Sequence, residues 1–386
     1  MIATITMPRL LYIGGGAVAE VTTALARLGA SRPLIVTDRF IESAGLLTRV
    51  TDRLDAAGIL WQAFVDTVPD PTTEVVEAGV SVLRAGPYDC LIAVGGGSPI
   101  DTAKAMSVLA ANGGQMRDYK VPNEIPKLGL PLIAIPTTAG TGSEVTRFTV
   151  ITDSERDEKM LIMGLACCPA AAIVDYELTL SMPWRLTADT GLDSLTHAIE
   201  AYVSRKASPF TDGVARSAMA LIARNIRAAC THPENRAARE AMMLGATQAG
   251  MAFSNASVCL VHGMSRPIGA FFHVPHGLSN AMLLPEITAF SAPAALARYA
   301  DCARTMGIAA EGEGNQAAVA RLLDELRALN RDLKVPTPRD YGIAEERYRE
   351  LLPVMASQAL ASGSPGNNPR VPTADEIIDL YQRVYA

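Results

Sequence analysis

The segment Gly-Leu-Asp193-Ser-Leu-Thr-His197-Ala-Ile-Glu sets a carboxylate and an imidazole four residues apart. On a helix that spacing places both on one face. An exposed helix pair would use the same spacing. Here, however, Leu192, Leu195, Ala198 and Ile199 surround the pair, and a buried carboxylate and imidazole need a partner, which a metal ion supplies. His262 and His276 offer two further donors, fourteen residues apart. On one continuous helix they would lie about 21 Å apart, so sharing an ion requires the chain to turn between them. Gly269 and Pro275 supply that opportunity, and His276 then opens a second helix over about 277–284. On spacing alone His273 competes with His276 for the role. His232, beside Pro233 in a polar stretch, reads as a surface residue. One carboxylate and three imidazoles suit a divalent first-row metal.

Three loops could hold a nucleotide. Gly95-Gly96-Gly97-Ser98-Pro99 lies between a strand and a helix. Its glycines admit close approach of an anion to backbone N–H groups; Ser98 can cap the helix, Pro99 suits its first turn and Asp101 follows. Open N–H groups and the helix dipole favour a phosphate there. The pattern is not GxGxxG, and a plain strand–helix turn would use the same residues. Asp38 closes a strand, where a carboxylate accepts from ribose hydroxyls and repels a 2′-phosphate; an N-cap aspartate is the alternative. The third loop, 136–144, is Pro-Thr137-Thr138-Ala-Gly-Thr141-Gly-Ser143-Glu. It adds hydroxyls and free N–H groups. All three fall where sheet ligands gather, at carboxyl ends of strands. Gly14–Gly16 reads as a turn.

The elements that must position these residues change character along the chain. Strands are predicted over 10–13, 33–37, 60–65, 89–94 and 130–135. Helices are predicted over 17–28, 41–57, 72–85 and from the glycine loop to about 111. Apolar strands alternating with helices imply a parallel sheet covered on both faces. Segments 146–152 and 159–163 flank a polar turn and predict a β-hairpin. Beyond Pro183 the apolar residues recur at helical spacing, with helices over 212–229, 237–253, 292–306 and 375–384. The last follows a Gly/Pro-rich loop, 362–372. Two domains are expected, 1–183 and 184–386.

At 386 residues the chain has room for both. Its net charge of −6 and lack of a basic stripe argue against nucleic acid as a partner. No apolar run approaches the roughly 20 residues of a membrane span. The N-terminal residues lack the pattern of a signal peptide. Six scattered cysteines without a CxxC pair read as reduced thiols, and a cytoplasmic location is expected.

Together the long ordered motifs Gly95-Gly-Gly-Ser-Pro-Ile-Asp101-Thr-Ala-Lys104, 136–144, Thr190-Gly-Leu-Asp193-Ser-Leu-Thr-His197-Ala-Ile-Glu-Ala-Tyr202 and Val274-Pro-His276-Gly-Leu-Ser-Asn280-Ala-Met-Leu-Leu-Pro285 resemble the iron-containing (group III) alcohol dehydrogenase family over nearly the whole chain. The resemblance implies a dehydroquinate synthase-like architecture: an N-terminal α/β dinucleotide-binding domain, an all-α C-terminal domain and an active site in the cleft between them. It implies ligation by Asp193, His197, His262 and His276, with Fe²⁺ the usual metal and Zn²⁺ an alternative. It places NAD(P) contacts at Asp38, Asp70, Gly97, Ser98, Asp101, Thr137, Thr138, Ser143, Lys159 and Leu178; the loops add Gly96 and Thr141. Asp38 argues for NAD over NADP. A homodimer is implied.

The implied reaction is reversible oxidation of a primary or secondary alcohol, or a hydroxy acid, to an aldehyde or ketone, by hydride transfer to the nicotinamide. Phe148 and Phe253 are expected to shape the substrate pocket. One position departs from the family. Many relatives have a histidine four residues after the His262 equivalent, whereas this chain has Arg266, which does not relay protons. Arg266 either makes a structural ion pair or holds an acidic substrate by a bidentate contact. A hydroxyacid–oxoacid transhydrogenase is a near variant. A same-fold lyase or polyol-phosphate dehydrogenase would need more basic residues than Arg266, Lys159 and Lys104.

Overall fold

A computed structural model describes residues 2–156 and 158–385. The chain divides into two compact units, Thr4–Ser181 and the residues from Met182 onward.

The first unit is built on a six-stranded sheet. Its strands are β1 (Leu10–Ile13), β2 (Pro33–Val36), β3 (Gln62–Phe64), β4 (Cys90–Gly95), β5 (Leu132–Pro136) and Ala171–Val174. Between the last two in sequence stands the hairpin β6 (Phe148–Asp153) and β7 (Glu158–Met163), so Ala171–Val174 is β8. The order is β1-β8-β5-β4-β2-β3, and every pairing in this sheet is parallel. Period-two alternation sends Leu34, Val36, Leu91, Ala93, Leu132 and Ala134 to one face and Ile35, Ile92, Val94, Ile133 and Ile135 to the other. Both faces are covered, which explains why these strands are apolar throughout rather than amphipathic. On the first face lie α4 (Thr73–Ala85) and α5 (Gly97–Asn112). On the second lie α1 (Val21–Leu28) and α3 (Thr48–Ala56). A short α2, Arg39–Ser43, is separated from α3 by a turn through Gly45, whose φ is +72°. The expected single helix over 41–57 is therefore two.

Strand β8 is not anticipated from sequence. It pairs with both β1 and β5 and so joins the first strand to the rest of the sheet. Its four residues, Ala-Ala-Ile-Val, are too short and too uniformly buried to carry a periodic signal.

The second unit is helical. Its long elements are α6 (Trp184–Val203), α7 (Pro209–Thr231), α8 (Arg236–Ala256), α9 (Leu260–Phe272) and α10 (His276–Ser291). Helices α6, α7 and α8 pack on one another, and α10 packs on α6 and α9. Beyond them come α11 (Leu296–Thr305), α12 (Asn315–Asp332), a short α13 (Pro338–Tyr341), α14 (Glu345–Ala361) and α15 (Ala374–Tyr385). Helices α12 and α14 also escape the sequence reading. Helix α6 begins three residues before Thr187, its expected start, with Pro183 at the N-cap. No helix among the described residues is long and apolar enough to cross a membrane. The six cysteines are free, and five of them are buried.

Candidate active site

In the helical unit, three helices converge on one point. Helix α6 contributes Asp193 and His197, α9 contributes His262, and α10 contributes His276 as its first residue. The turn between His262 and His276 is not at Gly269, through which α9 continues. It is at His273, which takes the left-handed conformation (φ +54°) and caps α9. His273 is exposed, and His276 is the imidazole that joins the cluster. Gly277 permits the approach of α10 to α6: a Cβ there would lie 2.4 Å from the Asp189 carbonyl oxygen.

Donor atoms of Asp193, His197, His262 and His276 all lie within 4.8 Å of one another. Asp193 Oδ1 is 3.9 Å from His197 Nε2, 3.5 Å from His262 Nε2 and 3.9 Å from His276 Nε2. Ligands about 2.1 Å from a tetrahedral ion stand about 3.4 Å apart, so a modest contraction would seat one. The first three residues are buried, while the His276 side chain is 43% exposed and forms the open side. Burial alone would raise the Asp193 pKa, but the imidazoles of His197, His276 and His262 outweigh it and hold the carboxyl well below its usual range.

Two residues missed in the sequence reading organise this cluster. Glu200 is buried and accepts from His262 Nδ1 at 2.7 Å, from Cys259 N at 2.8 Å and from Val261 N at 2.6 Å. It thus binds the first turn of α9 and sets the His262 proton on Nδ1. The Nε2 lone pair is left facing Asp193. Asn280 directs its Nδ2 to Asp193 Oδ1 at 2.7 Å and lies 3.1 Å from His262 Nε2 and 3.3 Å from His276 Nε2. Its buried Oδ1 has no hydrogen-bond partner. Helical spacing could have found both: Glu200 follows Asp193 by seven residues, and Asn280 follows His276 by four. A carboxylate and three imidazoles with ring nitrogens gathered within 4.8 Å form a donor set that fits a divalent first-row cation. His197 is stacked between Phe253 (centroids 4.2 Å apart) and His262 (4.4 Å), so Phe253 walls the cluster. Phe148 opens β6 in the α/β unit, where its carbonyl accepts from Lys104 Nζ at 2.7 Å.

In the α/β unit, the loops after β2, β4 and β5 leave the sheet from neighbouring strands at its carboxyl edge. They carry Asp38, then Gly96, Gly97 and Ser98, then Thr137, Thr138 and Thr141. The chain order reverses between β2 and β4, the kind of place where parallel sheets bind nucleotides. Gly97 allows the third loop to close on the second, since a Cβ there would lie 2.9 Å from Thr141 Cγ2. The helix N-cap is Gly96 without a side-chain cap, so Ser98 sits inside the first turn rather than capping it. Asp38 is the N-cap of α2, accepting from Ile41 N at 2.8 Å. Asp70 (φ +52°) pairs with Lys159 Nζ at 2.8 Å. Leu178 is fully buried in the core.

Asp101 and Ser143 belong to a network inside the unit. Asp101 Oδ1 accepts from Ser143 Oγ at 2.6 Å and its Oδ2 from Val150 N at 2.9 Å. Lys104 is buried, and its Nζ meets Ser143 Oγ (2.9 Å), Thr146 Oγ1 (3.0 Å) and the Phe148 carbonyl. Burial lowers its pKa, against the attraction of Asp101. Lys104 is therefore not an available phosphate contact, contrary to its inclusion among the basic residues of a phosphate site.

Known proteins share this fold and sequence. Residues 8–176 match the family description "Iron-containing alcohol dehydrogenase", and residues 187–385 match "Fe-containing alcohol dehydrogenase family, C-terminal". The chain belongs to the iron-containing alcohol dehydrogenase family, a class of oxidoreductases acting on alcohols and aldehydes. It is 40% identical over 375 residues to the NAD-dependent methanol dehydrogenase of Bacillus methanolicus, covering 97% of each chain. It is 36% identical over 384 residues to the NADPH-dependent butanol dehydrogenase of Clostridium saccharobutylicum, covering 98% of this chain and 97% of the other. Among solved structures, a 1,3-propanediol oxidoreductase superposes with a TM-score of 0.96 at 34% identity, covering all of both chains.

Proposed function

We propose that this chain is a metal-dependent dehydrogenase that interconverts a primary or secondary alcohol, or a hydroxy acid, with its carbonyl compound, using NAD(H). Asp193, His197, His262 and His276 would hold the ion, Fe²⁺ by family and Zn²⁺ as the alternative. Bound there, a divalent ion supplies Lewis acidity toward the reacting oxygen, and the nicotinamide supplies the hydride chemistry. The chain's own residues do the rest. Asp193 contributes the negative charge, Glu200 sets the His262 tautomer, Phe253 shields one side from water, and the exposed His276 side admits substrate. The observation that carries this reading is the Glu200-oriented His262 lone pair facing a carboxylate and two more imidazoles.

The proposed cofactor contacts are Asp38, Asp70, Gly96, Gly97, Ser98, Asp101, Thr137, Thr138, Thr141, Ser143, Lys159 and Leu178. Asp101, Ser143 and Leu178 would act mainly by shaping the loops, since their side chains are engaged or enclosed. Asp38 supports NAD over NADP: one of its oxygens caps α2, and the carboxylate would repel a 2′-phosphate. Phe148 would line the substrate side of the cofactor. A cytoplasmic homodimer is proposed, supported by family membership and free thiols. The test is steady-state absorbance at the nicotinamide band with a panel of alcohols, after stripping metal and restoring Fe²⁺ or Zn²⁺. Metal-restored turnover with NAD exceeding that with NADP is expected. Turnover indifferent to metal would overturn the reading.

A further inference from the structure

Arg266 stands one turn beyond His262 on α9, on the same helix face. Side chains on a helix lean toward its N-terminus, so the Arg266 stem runs back toward the turn that carries His262. The guanidinium feels the charge of Glu200 at that end of the helix. Its surroundings are unusual. Nη1 donates to Ser364 Oγ at 3.2 Å, and Ser364 is buried. No carboxylate among the described residues is paired with it, so the structural ion pair, one of its two readings, is not formed. Glu200 acts on it only through its charge at longer range, and its oxygens bond Cys259 N, Val261 N and His262 Nδ1 instead. Arg239, also buried, shows what a structural arginine does here: it closes on the Pro233 carbonyl and the Thr187 hydroxyl.

A guanidinium offers five N–H donors in a planar fork suited to two oxygens of one anion. Where Arg239 closes on two acceptors, Arg266 closes on one, so most of its donors are left for water or a bound anion. We propose that Arg266 binds the anionic group of the substrate, and that the substrate class is a short hydroxy or oxo compound bearing a carboxylate, sulfonate or phosphonate. One helical turn separates the two residues, about 5–6 Å. That spacing suits a reacting oxygen at the His262 cluster and an anionic group two or three carbons away. The inference rests on the metal-site reading above. The same fork could instead take a phosphate of the dinucleotide, so the test separates the two anions.

The experiment compares kcat/KM of the metal-reconstituted enzyme for matched pairs: 3-hydroxypropionate with 1-propanol, 2-hydroxyethanesulfonate and 2-hydroxyethylphosphonate with ethanol. The wild type, Arg266→Gln and Arg266→Lys are compared, with the NADH Kd and Tm measured for each. The wild type should favour an acid, and Arg266→Gln should lose on the order of 10- to 100-fold on acids alone. Arg266→Lys should recover part of that loss, NADH binding should be unchanged, and the Tm of Arg266→Gln should not fall. Equal losses on acids and alcohols, or a fall in Tm, would overturn the proposal. Weakened NADH binding without loss of acid preference would also overturn it, assigning the arginine to the cofactor. If no acid is turned over, calorimetric titration of the same acids into wild type and Arg266→Gln decides: binding lost in the variant supports the proposal, and no binding to either overturns it. Turnover of neutral alcohols alone would leave the metal-site reading standing while this inference fails.

Discussion

Two buried charged clusters, one in each unit, differ in how completely they are satisfied from within. In the α/β unit, Lys104 has three hydrogen-bond acceptors for its three protons, and Asp101 has a donor on each oxygen. Nothing in that cluster requires a ligand. In the helical unit, Asp193 faces three imidazoles, Asn280 Oδ1 is buried without a partner, and Arg266 has a lone hydroxyl. Burial makes unpaired polar groups expensive in both places. Of these two clusters only the second is left incomplete, and a bound group would complete it. Burial and charge alone would not tell the two clusters apart; the partner of each polar atom does.

The sharpest way to break the comparison is to remove a residue from each cluster. Asp193→Ala should cost metal binding more than the roughly 100-fold upper figure for outer partners, while its Tm without metal should fall only modestly, because the carboxylate that the imidazoles and Asn280 Nδ2 stabilise is gone. Equilibrium dialysis and calorimetry of the stripped protein check both. Lys104→Met should do the reverse. It strands Asp101, and the loss in unfolding free energy should be about 3 kcal/mol, the low end for a broken buried pair, because Ser143 and Val150 still donate. Denaturant titration reads the loss, and metal affinity should not move. A comparable loss of metal in this variant would erase the distinction between the clusters.

Glu200→Gln gives a smaller effect. The single amide oxygen can accept from only one of Cys259 N and Val261 N, which bond different carboxylate oxygens, and the charge that holds the His262 proton on Nδ1 is gone. Metal affinity should fall by about 10- to 100-fold, and the stranded N–H should cost about 1–3 kcal/mol of stability. An unchanged Kd would show that His262 is oriented by packing alone. Smallest is Asp38→Ser, which keeps an N-cap for α2 while removing the charge. The ratio of NAD to NADP efficiency should drop by a factor of about ten or less, the reach of one partly exposed charge.

Sequence showed the layers of the α/β unit because its strands are continuous apolar runs bounded by glycine and proline, and that pattern is local. Ala171–Val174 was invisible because four small buried residues have no period. The hairpin at 148–163 was legible from its two runs around a polar turn. Asp193 and His197 could be paired from spacing, since both ride one helix. His276 could not be chosen over His273 that way; the choice depends on which residue takes the left-handed cap of α9, a property of the turn. Glu200 and Asn280 carry helical spacing, yet a buried acid and amide gain their meaning only when α9 and α10 arrive beside α6. Arg266 was legible as a departure. That it lacks an acid partner was not, because absence of a neighbour is a tertiary fact.

The central claim is that these four residues form one metal shell. X-ray absorption at the metal edge of the reconstituted protein tests it most directly. The account predicts one ion per chain with nitrogen and oxygen neighbours at about 2.0–2.2 Å and the outer scattering of about three imidazole rings. A sulfur shell, or a spectrum without imidazole scattering, would contradict it.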